Sequence, residues 1–190
     1  MGVIGCVMPS TNPVATIIGN AMMALKGRNS VIIAPHPMSV RLSVKMVKLL
    51  REALESVGAP ADLIQCISEE YASREATNLM MSTCDACIST GGAGRVKAAY
   101  SSGKPAFGVG QGNVQEIVDL GISDAELERQ ATLCVAHRAK DNGVPCAGAQ
   151  TVHIHAQQLE QWKGYMQEHG AFLIDKDEDI AALRALVFPD

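Results

Sequence analysis

Two rhythms of apolar and polar positions alternate along this chain. Short apolar runs have the length of buried strands, and between them apolar residues return every three or four positions, as on a helix face. VIGCVM (3–8) reads as a strand, and beyond PSTNP the spacing predicts a helix over 13–27. SVIIA (30–34) is a second strand, and PHP separates it from a helix over 39–57. In that helix Val44, Val47, Leu50, Leu54 and Val57 form one apolar stripe, and Gly58 ends it. DLIQCI (62–67) is a third strand, 71–82 a third helix, and ACIST (86–90) a fourth strand. Gly91, Gly92, Ala93 and Gly94 then lead into a helix through Tyr100, and PAFGVG (105–110) is a fifth strand. Strands alternating with helices at this spacing predict an α/β fold, a Rossmann-like parallel sheet with helices on both faces. Ligands of such folds sit beyond the C-terminal strand ends. PSTNP, PHP and TGGAG all fall there.

After Asp119 the pattern changes. Ser123 caps a predicted helix through Lys140, and a glycine-flanked loop follows. TVHIH (151–155) and FLI (172–174) read as strands, with helices over 156–169 and 177–187. A first domain over 1–119 and the beginning of a second α/β domain over 120–190 are therefore expected.

Composition narrows the function classes. Of 190 residues 47% are hydrophobic and 19% charged, with a net charge of −4. This is enough chain for a sizeable core and supplies no basic face for nucleic acid or polybasic patch for a membrane surface. No apolar run approaches the ~20 residues of a membrane span. The first residues lack the charged leader and long apolar region of a signal peptide, so a cytoplasmic chain is expected. Of the six cysteines, Cys6, Cys66, Cys87 and Cys134 lie in apolar runs, as reduced core thiols do. Cys84 and Cys87 form a CxxC with no second pair to complete a zinc site, and no metal is expected.

The loop KDNGVPCAGAQ (140–150) presents Cys146 between a stiff Pro145 and small Ala147 and Gly148. A thiol with so little bulk around it suits a nucleophile, while free cysteine in general is a core residue. Thr90, Gly91 and Gly92 follow a strand and open a helix, where free amides and the helix dipole favour phosphate; an ordinary glycine turn is the competing reading. The motif is not GxGxxG, and no acidic residue follows at the distance that holds a ribose. Asn12 precedes Pro13 at a helix start, fit either to cap that helix or to donate its amide to an oxyanion. His36, between Pro35 and Pro37, is held on a stiff strand-end loop, facing either a nucleotide or solvent. His153 and His155 share a strand face with no third ligand nearby, which makes them surface or interface residues.

Together PSTNP (9–13), APHP (34–37), STGGAGRVKAAYSSGKPAFGVGQGN (89–113) and DNGVPCAGAQ (141–150) resemble the coenzyme A-acylating aldehyde dehydrogenases. The likeness runs in order through nearly the whole chain. It implies a partial dinucleotide-binding domain followed by the start of a catalytic domain, with Cys146 as nucleophile and Asn12 as oxyanion donor. It further implies that Pro35, His36, Pro37, Thr90, Gly91 and Gly92 border the dinucleotide, with Gly110 and Gly112 beside the nicotinamide. The implied reaction is oxidation of a short aldehyde to an acyl-CoA, with NAD as cofactor and coenzyme A as co-substrate. Hydrolytic relatives need a carboxylate in this region, and GVGQGN (108–113) has none. Pro145, Gln111 and Ala149 depart from the family's usual β-branched, small and glutamate residues. Full-length members extend further at both ends, so a homo-oligomer or a companion chain supplying missing segments is expected. A non-catalytic dinucleotide-binding fragment and an acyl-phosphate reductase are the alternatives.

Overall fold

The computed structural model describes residues 2–188. The chain divides into two compact units, Met1–Gln111 and Gly112–Asp190.

In the first unit, strands β1 (Val3–Val7), β2 (Ser30–Ala34), β3 (Ile64–Cys66), β4 (Ala86–Thr90) and β5 (Ala106–Val109) form one sheet in the order β3-β2-β1-β4-β5. Every pairing is parallel. Between them run α1 (Pro13–Lys26), α2 (Val40–Ser56), α3 (Arg74–Thr83) and α4 (Ala93–Tyr100). Alternation along each strand sends neighbouring side chains to opposite faces. Cys6, Val31 and Ile33 therefore pack with Ile17, Ala21 and Val47 of α1 and α2, while Val7, Ala34 and Cys87 pack with Met80, Met81 and Ala99 of α3 and α4. The two-faced parallel sheet matches the sequence expectation. Strand order reverses between β1 and β4, the topological switch point at which doubly wound sheets open a crevice.

The stripe of α2 differs from the expected one. Val47 is buried and Leu50 and Leu54 pack beside it, but Val44 is 36% and Val57 77% exposed. Val40 and Ser43 complete the buried face instead. Ser43 fits there because its hydroxyl donates to the Ser39 carbonyl (2.8 Å), so no buried hydroxyl is left unpaired.

In the second unit β6 (Val114–Ile117) pairs in parallel with β7 (Ala149–His153), and α5 (Asp124–Ala139) crosses between them. α6 (Leu159–Glu168) and α7 (Asp177–Val187) follow. Leu127, Ala131, Cys134, Ala149 and Trp162 form its core. Two expectations are corrected here. FLI (172–174) is not a strand: no described strand pairs with it, and Phe172 is 88% exposed. The division falls at 111/112 rather than 119/120, because β6, unforeseen in the sequence, belongs by its hydrogen bonds to β7. Its pattern hides it, since the inward positions include Glu116 while Ile117 is 83% exposed.

Candidate active site

The first unit builds a crevice at its switch point. β1 continues to Met8, whose amide donates to the Ala34 carbonyl (3.0 Å). Asn12 stands at the N-cap position of α1, with Pro13 in the first helical turn. Its side chain makes no capping bond. The backbone carbonyl of Asn12 accepts from the Thr16 amide (3.3 Å) and hydroxyl (2.7 Å) instead. The helix-cap reading is thus not realised, and the exposed Asn12 carboxamide is left to donate elsewhere.

At the end of β2, Pro35 is buried and Pro37 opens a short 3-10 turn. His36 caps that turn: its Nδ1 accepts from the Met38 amide (3.2 Å), and its carbonyl accepts from the Ser39 amide (2.8 Å). With Nδ1 accepting, the proton of the neutral ring resides on Nε2. Burial, and then the positive charge of Arg95, hold the imidazole below its ordinary range. His36 is a neutral, locally anchored ring, half-buried rather than free in solvent.

Thr90 ends β4, and the Gly91 amide donates to the Val109 carbonyl of β5 (3.0 Å). Gly92 is the N-cap of α4 with φ −64° and ψ 161°, a conformation open to any residue. A side chain at Gly92 or Gly94 would meet nothing within 4 Å. Packing against the protein therefore does not require glycine at either position, though glycine is a favoured N-cap. Both line a cavity of about 530 Å³ together with Pro35, Pro37 and the first turns of α3. In the first turn of α4 the Arg95 amide donates to the Gly92 carbonyl (3.0 Å), which leaves the Ala93 and Gly94 amides without a partner in the helix. Gly108, by contrast, is held by packing: a Cβ there would strike Val96 and Tyr100, and the Gly108 amide donates to the Tyr100 hydroxyl (3.1 Å). Gly110 lies beyond β5, exposed and with open space at its Cβ position.

The cavity also receives Arg74 and Arg95, which the sequence reading did not single out, and its walls carry no Asp or Glu. The one hint in the sequence was the missing ribose-holding acid.

The second unit carries the cysteine loop. Asp141 (φ 53°), Asn142 (φ 54°) and Gly143 (φ 71°) are successive left-handed residues beyond α5. Asp, Asn and Gly are the types that tolerate this region. They reverse the chain into a tight turn over 145–148, closed by the Gly148 amide on the Pro145 carbonyl (3.2 Å). Cys146 is its second residue, and among the six cysteines it alone is exposed. Burial pushes the others up: Cys6 to about 12, Cys66 to about 11, and Cys134, beside the Glu116 carboxylate, to about 12. Cys84 and Cys87 are raised in the same way. A thiol that stays protonated is a poor nucleophile. Gly112 has a role the sequence did not suggest: a Cβ on it would run into the Cys146 carbonyl oxygen. The strand leading to β6 passes against the cysteine loop at a position only glycine can occupy.

Asn12, Pro35, His36, Pro37, Thr90, Gly91, Gly92 and Gly110 thus belong to the first unit, and Gly112 and Cys146 to the second. Among the described residues no three His, Cys, Asp or Glu are grouped to hold a metal, and no helix is long and apolar enough to cross a membrane.

Residues 1–177 match the model of the aldehyde dehydrogenase family. The acetylating succinate-semialdehyde dehydrogenase of Clostridium kluyveri is 43% identical over 189 residues, covering 100% of this chain and 41% of that protein. The propionaldehyde dehydrogenase of Rhodopseudomonas palustris, solved with bound propionyl-CoA, superposes with a TM-score of 0.85 at 34% identity, over 97% of this chain and 40% of that one. An engineered glycolyl-CoA reductase with bound NADP+ gives a TM-score of 0.85 at 33% identity, over 97% of this chain and 41% of the other. The chain therefore spans about two fifths of the length of these relatives. It belongs to the aldehyde dehydrogenase family, among relatives that are coenzyme A-acylating enzymes.

Proposed function

We propose that this chain carries the nucleophile and part of the dinucleotide site of an NAD-linked, coenzyme A-acylating aldehyde dehydrogenase. The observation that carries the proposal is Cys146, the one exposed thiol, at the corner of a turn fixed by three left-handed residues. Its thiolate adds to the carbonyl carbon of a short aldehyde, and the unengaged Asn12 carboxamide is suited to donate to the oxyanion that develops. The crevice fits a dinucleotide: glycines with open Cβ positions, free helix-start amides and no carboxylate to repel a pyrophosphate. Thr90, Gly91, Gly92, Pro35, Pro37 and the neutral His36 would hold it, with Gly110 and Gly112 on the nicotinamide side by the family likeness. When bound, it supplies the hydride acceptor that leaves the acyl group on sulfur as a thioester. Coenzyme A thiol then takes the acyl group and returns Cys146 to the thiolate. The run 108–113 offers no acid to activate water, which favours thiolysis over hydrolysis. The outer edges of the β6–β7 sheet are where a second copy or a companion chain would pair.

Two measurements on the purified chain test the reading. Incubation with a short acyl-CoA should add one acyl mass to the peptide containing Cys146, removable by hydroxylamine, and Cys146→Ser should abolish it. Coenzyme A-dependent NADH formation from short aldehydes should follow the same variant. Acylation of Cys6 or Cys134 in place of Cys146 would defeat the assignment.

A further inference from the structure

Arg74 and Arg95 reach the cavity of the first unit from different helices. The Arg95 guanidinium donates to the Met8 carbonyl (3.4 Å), and its charge acts on His36, so it sits where β1 and β2 end. Arg74 is the first residue of α3, and its exposed side chain has neither a hydrogen bond nor an ion pair to the described residues. The acid nearest in sequence before the α3 cap with a firm partner is Glu69, which is taken by Arg41 at 3.0 Å. Two arginines in the lining of one cavity concentrate positive charge there, which favours an anion.

A pyrophosphate at the start of α4 accounts for Arg95 and for the glycines, and leaves Arg74 over. Selectivity for an unphosphorylated ribose rests on a carboxylate that accepts from its hydroxyl, and an arginine in that neighbourhood instead accommodates a phosphate. These walls carry no carboxylate. A phosphate monoester brings nearly two further negative charges and three acceptor oxygens, which the planar guanidinium fork matches in pairs.

We propose that this cavity selects an adenosine diphosphate whose ribose bears a monophosphate, and that Arg74 is the residue that binds that group. The proposal rests on the dinucleotide reading above and refines it. Two ligands carry this chemistry, NADP with a 2′-phosphate and coenzyme A with a 3′-phosphate.

The test compares affinities on the full chain: NADPH against NADH by nicotinamide fluorescence, and coenzyme A against dephospho-coenzyme A by displacement or calorimetry. One charge-assisted phosphate contact should favour the phosphorylated member of a pair by about tenfold. In Arg74→Gln that ratio should fall toward one, and Arg74→Lys should restore part of it. A preference within the nicotinamide pair assigns Arg74 to the 2′-phosphate, and one confined to the coenzyme A pair assigns it to the 3′-phosphate. Equal affinities within both pairs, or a ratio unchanged in Arg74→Gln, would overturn the proposal while leaving the dinucleotide site standing. Failure of all four ligands to bind a folded chain would overturn both.

Discussion

Gly112→Ala adds a single methyl group at the most tightly fitted point of the cysteine loop. The new Cβ would overlap the Cys146 carbonyl oxygen and stand 2.9 Å from its carbonyl carbon and 3.3 Å from its Cβ. Unstrained carbon contacts begin near 3.5 Å, and two of these three atoms are backbone, so no side-chain rotation relieves them. The loop must move away by roughly an ångström to restore contact distance. Overpacking of this kind costs about 1–3 kcal/mol. For a unit of this size each kcal/mol lowers the melting midpoint by about 4–8 °C. Because the displaced segment is the one that presents the thiol, the functional loss should exceed the thermodynamic one: a misplacement of about 1 Å costs on the order of a hundredfold in rate. Thermal melting, followed through Trp162 in the core of the same unit, gives the first quantity. The rate of Cys146 acylation by a short acyl-CoA gives the second. A Gly112→Ala chain with unchanged midpoint and unchanged acylation rate would refute the close approach and, with it, the account of why glycine stands there.

Gly92→Val probes the opposite kind of glycine: an added Cβ there meets nothing within 4 Å, so the variant should still fold, with only the small cost of a poorer N-cap, while its side chain enters the crevice. NADH affinity should fall strongly, and a folded variant with parental affinity would reduce the 90–94 segment to a turn. Alkaline pH addresses the buried thiols. Cys6 and Cys134 are raised from 9.0 to about 12 and Cys66 to about 11, so they stay protonated in the folded chain while the unfolded chain ionises. Stability should be flat with respect to these groups below pH 9 and decline between pH 9 and 12, the unfolded state then binding fewer protons. Cys6→Ala and Cys134→Ala should each make that decline shallower in denaturant titrations at stepped pH. A decline of undiminished slope in both variants would show that other groups set it.

The first unit was legible because its strands are short apolar runs, and the three central ones, β1, β2 and β4, have no exposed position on either face. ACIST (86–90) and SVIIA (30–34) begin and end where the hydrogen bonds do. The second unit was harder for a reason visible in β6 and FLI. A two-stranded sheet buries only part of one face, so Ile117 points to solvent and Glu116 inward, and alternation no longer identifies the strand. FLI has the composition of a strand and no described partner, and strand structure is a property of pairing rather than of residue type. The α2 stripe failed at Val44 and Val57 for a related reason: the buried line follows Val40, Ser43, Val47, Leu50 and Leu54, and one member is a serine that satisfies its own hydroxyl on the preceding turn.

The chemistry was legible where a residue's type is unusual for its place and hidden where its role depends on a neighbour distant in sequence. Cys146 stood out because small and left-handed-tolerant residues surround it, and the structure exposes it as that pattern implies. Gly112 looked like one more glycine of a nicotinamide-side run, since its neighbour, the Cys146 carbonyl, lies 34 residues further along. Arg74 was not singled out in the sequence at all. Its interest arises only when α3 and α4 are laid side by side and the cavity between them proves to be lined by two arginines, five glycine or alanine positions and no acid. The glycines make the same point from the other direction. Gly92, Gly108 and Gly112 are identical in sequence terms, yet one opens onto a cavity, one seats a helix on a strand, and one admits the loop that carries the thiol. What separates them is what a single added Cβ would meet.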